Sequence, residues 1–128
     1  MRLSTETLSK IDSYEAELVR RAEELAGKLK EDKERQLRNI QQAAEQTKYW
    51  EPLALFIRYQ AARKQLDKEW TKQLIKELED LQGQAKEIAR ETRDNPDLIH
   101  MELIARLMGY LVRWHKVITE KVMEVKRS

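Results

Sequence analysis

The chain has no cysteine, and only 3 glycines and 2 prolines among its 128 residues. Without cysteine there is no disulfide framework, iron–sulfur cluster or thiolate zinc site. So few glycines and prolines leave a strand-rich fold without its turn punctuation. No apolar run approaches the ~18 residues that cross a bilayer. The N-terminal stretch from Met1 to Thr7 has no apolar core of signal-peptide length. These absences, and a cysteine-free composition that suits a reducing compartment, lead us to expect a cytoplasmic protein with no membrane partner.

What is present is helix-forming. Charged residues make up 38% of the chain and aromatics only 6%, with Ala, Glu, Lys, Leu, Arg and Gln abundant. The expectation is an all-α fold, a compact bundle of about five helices in a single domain over residues 1–128. Ser4 reads as an N-cap, and Leu8, Ile11, Leu18, Ala22, Leu25 and Leu29 follow at near-heptad spacing. This predicts one N-terminal helix within 1–30. Asp32 is placed to cap a helix over 33–47, with Leu37, Ile40 and Ala44 inward. Pro52 suits the first turn of the next helix, because the residue before proline leaves helical dihedrals.

From Leu53 to Thr92 only Gly83 interrupts the pattern, and we expect two helices meeting near Asp67 and Lys68 rather than one. Phe56, Tyr59, Arg63, Leu66 and Trp70 follow three-four alternation, which puts Arg63 inside a hydrophobic seam. Leu74, Leu78, Leu81, Ala85 and Ile88 continue it, so the central helices occupy 33–93. Asn95 reads as N-cap and Pro96 as first helical residue of a C-terminal helix over 96–125. Its seam is Met101, Ile104, Met108, Leu111, His115, Ile118, Val122 and Val125, and Lys126 to Ser128 are expected to fray.

The net charge of +2 conceals a segmental pattern. Residues 1–34 carry 7 basic and 9 acidic side chains, 35–68 carry 7 and 3, 69–97 carry 5 and 8, and 98–128 carry 6 and 3. If the second and fourth segments share a face, the protein has a basic side suited to a phosphate backbone.

Catalytic readings find little. The two histidines, His100 and His115, do not follow a glutamate by three positions, so the di-iron carboxylate pattern is missing. His115 in an apolar seam reads as a satisfied core histidine, and His100, three residues after Asp97, as capping chemistry. Gly27, Gly83 and Gly109 are isolated and form no phosphate loop; Gly109 reads as a site of close helix approach. We expect no enzyme, no metal and no cofactor.

Recognition remains. Gln36, Arg38, Asn39, Arg58, Gln60, Arg63 and Lys64 form a polar, cationic set near Tyr49, Trp50 and Tyr59. Arginine grips phosphate oxygens in a planar fork, and Gln and Asn reach 2′-hydroxyls or base edges. Against this, Arg38 has Glu34 and Glu45 within helical reach, Arg63 could pair with a neighbouring glutamate, and Trp50 and Tyr59 are ordinary core candidates.

Gln36-Leu-Arg-Asn-Ile40, followed by Arg58-Tyr-Gln-Ala-Ala-Arg63 and by Leu107-Met-Gly-Tyr-Leu-Val-Arg-Trp-His-Lys116, resembles the Csm-type small subunit of type III-A CRISPR effector complexes. The similarity covers residues 33–118, with the lead Asp32 to Gln36 departing from the family's Thr/Ser-rich pattern. It implies a non-catalytic helical subunit, stacked head-to-tail in several copies against CRISPR backbone subunits, lining the channel that holds the guide RNA–target RNA duplex. Arg38 and Arg63 are the matched motif arginines; Arg58, Lys64, Arg113 and Lys116 lie close to matched segments. The acidic 69–97 segment would meet a neighbour's basic surface. The rival expectation is an adaptor binding a partner helix through the 101–125 seam, without nucleic acid. A third, an engineered bundle, is disfavoured by the uneven seams.

Overall fold

A computed structural model describes residues 2–122. Six α-helices are present among them: α1 (Thr5–Asp12), α2 (Glu15–Gly27), α3 (Glu34–Gln46), α4 (Trp50–Ala62), α5 (Lys68–Thr92) and α6 (Pro96–Thr119). No strand occurs among the described residues. The all-α expectation holds, with six helices rather than about five.

The centre is α6. Ile99, His100, Met101, Leu103, Ile104, Leu107, Met108, Gly109, Leu111 and His115 are all buried, so apolar surface covers most of its circumference. A helix apolar all round must be enclosed, and α6 runs along α2, α3 and α5 while α4 bridges α3 and α5. The expected 101–115 seam is therefore filled from within the chain. Beyond it Ile118 is only partly buried, Val122 is exposed, and Val125 lies outside the described residues, as do Lys126 to Ser128. α6 ends at Thr119, short of the expected 125.

The single N-terminal helix is two. The Ser13 hydroxyl turns back onto the Lys10 carbonyl at 2.5 Å, and the Tyr14 N–H takes the Ile11 carbonyl at 2.9 Å, tightening the turn. Serine competes with the helical ladder in this way. The backbone stays right-handed at both residues, so the seam Thr7, Ile11, Leu18, Ala22, Leu25 continues across the bend. Leu8, expected inward, is exposed and Thr7 takes its place.

The 53–92 segment divides as expected. α4 ends at Ala62, and the Asp67 carboxylate accepts the Trp70 N–H at 2.9 Å to cap α5. Pro52 lies in the first turn of α4. Asn95 caps α6 through the Asp97 N–H, with Pro96 first. The N-cap of α3 is Lys33 rather than Asp32, although the Asp32 carboxylate still accepts the Glu34 N–H at 3.1 Å.

The buried face of α4 corrects the expected seam. Trp50, Leu53, Ala54, Ile57 and Ala61 point inward, about one residue out of phase with Phe56, Tyr59 and Arg63. Phe56 is half-buried, while Tyr59 and Arg63 are exposed. Arg63 needs no buried partner; it ends α4 and lays its guanidinium over the Tyr59 ring, 5.6 Å from the centroid.

The histidines are both structural. His115 is buried, and its Nε2 accepts the Lys33 N–H at 3.0 Å, with the Asp32 carboxylate 3.4 Å away. His100 is not a capping residue. It is buried against Trp50, ring centroids 5.7 Å apart, with its Nε2 2.7 Å from the Leu78 carbonyl. Burial holds its pKa below the ordinary 6.5, so it is neutral.

Candidate nucleic-acid interface

The outward faces of α3 and α6 form a polar groove. The burial of Leu37, Ile40 and Ala44 fixes the rotation of α3 and sends Arg38, Gln42 and Glu45 to solvent. α6 brings Arg113 and Lys116 to the same side. Arg38, Gln41, Gln42, Glu45 and Arg113 line a recess of about 400 Å³ over Gly109 and Val112. A second recess joins Arg38, Arg113 and Lys116 to Glu34, Val117 and Glu120. Gly109 makes the floor: a methyl there would come within 3.4 Å of the Gln41 amide nitrogen. The expected close helix approach is not seen at this glycine, since the one neighbour such a methyl meets within 4 Å is the end of the Gln41 side chain.

The electrostatics leave the cations exchangeable. The Glu34 carboxylate lies 3.3 Å from Arg38 and 3.8 Å from Lys116, and Lys116 also reaches Glu120 at 3.3 Å. Arg113 stands over the Tyr110 ring, 5.6 Å from its centroid. Solvent-exposed pairs like these contribute about 0–1 kcal/mol, so a phosphate can exchange for a carboxylate on the same donors, against the repulsion of Glu34, Glu45 and Glu120 in the same recesses.

The nominated residues thus divide. Arg38, Arg113 and Lys116 come together on the α3–α6 groove. Gln36 turns to the other flank of α3, donating to the Gln65 side chain at 3.2 Å, and Asn39 is exposed on α3. Arg58 lies instead between α4 and α5, beside Lys68 and Lys72. Arg63 and Lys64 close the end of α4, where Lys64 adopts a left-handed φ of 63°. Gln41 and Gln42 were not singled out from sequence, because which of the α3 amides meets α6 depends on how the two helices cross.

The aromatic residues near these cations serve the fold more than the groove. Trp50 is buried, and the Trp70 and Trp114 indoles donate to the carbonyls of Leu25 and Val19 at 2.9 and 3.0 Å. Tyr59 alone among the aromatics proposed for stacking has an open ring on a helix, with Tyr49 exposed at the α4 N-cap. Among the described residues no cluster of three or more His, Asp or Glu side chains could hold a metal, and no helix is long and apolar enough to cross a membrane. Comparison with protein-family models, curated proteins and solved structures finds no match.

Proposed function

We propose that this chain is a non-catalytic RNA-binding subunit, of the kind that lines the guide–target duplex in a type III CRISPR effector complex. One observation carries the reading. Arg38 and Arg113, 75 positions apart, share one groove with Lys116 and two glutamines. Arginine forks hold phosphates, and amides reach 2′-hydroxyls across an A-form minor groove, so such a surface holds duplex RNA by shape rather than sequence. Two of the three segments that carry the family resemblance contribute Arg38, Arg113 and Lys116, from α3 and α6; the third, with the matched motif arginine Arg63, stands apart at the end of α4. Further copies of the chain and larger backbone subunits are the other partners of this reading, and avidity along a stack would supply much of the affinity.

The test is gentle purification of the tagged protein from its native host. Short RNAs sharing one repeat-derived 5′ end, recovered with larger protein subunits, are expected. Protein partners without RNA would overturn the proposal. Arg38→Glu with Arg113→Glu should release the RNA while leaving the melting curve of the protein in place.

A further inference from the structure

Only one side of α4 is occupied. Trp50, Leu53, Ala54, Ile57 and Ala61 face the core, yet its solvent side is also apolar. Leu55 is 68% exposed and Tyr59 55% exposed, and Pro52 and Ala62 are exposed with them. The four stand at i, i+3, i+7 and i+10, the spacing of a helix-pairing seam. A solvent-facing helix ordinarily carries apolar residues on one side only. Beside the seam, Ala61, Ala62 and Ile75 line a shallow groove of about 380 Å³ between α4 and α5.

The charge around this seam is predominantly basic at one end. Arg58, Lys68 and Lys72 rim the groove, and Arg63 and Lys64 follow at the C-terminus of α4. Lys72 has an ion-pair partner in Glu69 at 3.3 Å. Asp67, the acid nearest in sequence, is engaged in capping α5. From this we infer that α4 and α5 form a docking site for an amphipathic helix of another protein, with an apolar seam flanked by aspartate and glutamate. The site is separate from the α3–α6 groove and does not depend on the RNA reading.

Two other occupants fit less well. Exposed large apolar side chains elsewhere among the described residues are Tyr49, Leu8 and Val122; Leu8 lies in a recess with Leu3, Leu98 and Met101, and Val122 beside Val112 and Val117, neither forming a seam along one helix. A second copy presents the same α4 seam, but pairing it with itself would set the rims of Arg58, Lys68 and Lys72 against their own like charges, and the acidic outer side of α5 exposes no large apolar side chain to take its place. Duplex RNA would set phosphates over Leu55, Ala62 and Ile75, which replace none of the water those phosphates lose, and the one open aromatic ring, Tyr59, finds no unstacked base in a duplex.

The experiment uses the full chain and two synthetic helical peptides of about four turns. Both carry the same leucine seam, one flanked by glutamates and the other by lysines, and binding is read by fluorescence anisotropy. The acidic peptide should bind with Kd of about 1–100 μM, at least ~10-fold tighter than the basic one, and more weakly as salt rises. Leu55→Glu and Tyr59→Glu should each weaken it at least ~10-fold with circular dichroism unchanged, because both residues are already solvent-exposed. Arg58→Glu with Lys68→Glu should erase the preference between the peptides, whereas Arg38→Glu should not. Equal affinity for the two peptides, or undiminished binding by Leu55→Glu, would overturn the inference. So would self-association abolished by Leu55→Glu in sedimentation equilibrium, or protection of this face by duplex RNA.

Discussion

The Asp94 carboxylate, just before α6, sits over the first turn of α1 and accepts from Ser4 twice, its N–H at 3.0 Å and its hydroxyl at 2.8 Å. The Thr7 hydroxyl donates to the same oxygen. An acid at a helix N-terminus satisfies orphan N–H groups and favours the dipole, and this one comes from 90 positions away. The hydrogen bonds from Thr7 and Ser4 hold its pKa below the ordinary 3.8. A lowered carboxylate pKa stabilises the fold above the unfolded value, and that contribution is lost as pH falls below 3.8 through the folded value. Asp94→Asn should lower Tm by about 2–5 °C at pH 7, and the difference from the parent should shrink at the acid end of a melting series.

His100 gives a second dependence on pH, at higher values. The unfolded chain takes up a proton near 6.5, whereas the buried imidazole resists it. Stability should therefore be full above 6.5 and fall as pH drops through 6.5 toward the folded pKa, with a slope of at most ~1.4 kcal/mol per pH unit. Urea unfolding from about pH 7.5 to about pH 5 would measure this, and His100→Gln should flatten the curve.

RNA retention should follow the groove rather than total charge. Arg38→Glu and Arg113→Glu should each weaken duplex RNA binding several-fold and reduce its salt dependence. Arg90→Glu, on the far part of α5, should do much less. Equal losses from all three in anisotropy titrations would make the attraction a property of net charge alone.

The glycines of α5 and α6 predict opposite responses to size. Gly83 is exposed, and a methyl added there would meet nothing within 4 Å, so Gly83→Ala should stabilise by about 0.5–1 kcal/mol through helix propensity. At Gly109 an alanine meets only the far end of the Gln41 side chain at 3.4 Å, whereas Gly109→Leu must displace that side chain from the recess both residues line and should destabilise by ~1 kcal/mol. Paired denaturation curves of the three variants check both.

The Trp70 indole joins α5 to the last turn of α2 at the Leu25 carbonyl. Trp70→Phe should cost about 1 kcal/mol in chemical denaturation, because the Lys28 N–H still reaches that carbonyl at 3.2 Å.

Sequence periodicity was legible where polar and apolar residues separate cleanly. α5 exposes charge on one side, and Trp70, Leu74, Leu78, Leu81, Ala85 and Ile88 were readable as core, although the buried Thr71 and Ile75 beside them were not. In α4 the run Leu53-Ala-Leu-Phe-Ile57 is apolar in every direction, so spacing alone could not choose between the inward phase and the outward one that contains Tyr59 and Arg63. His100 escaped for a related reason: a helix enclosed on most sides has no polar face to set its rotation. The α3–α6 groove was legible only in part. Arg38, Arg113 and Lys116 stood out as residues, but their meeting depends on how two helices cross, and no local pattern encodes that.

The central position of α6 has a consequence for biosynthesis. The apolar faces of α2, α3 and α5 find their main covering in a helix made after all of them. At ~5–20 residues per second, α2 waits several seconds on the ribosome for its largest partner. During that interval Leu18, Ala22 and Leu25 are without their final neighbours, so the last helix to be made is the one that closes the core.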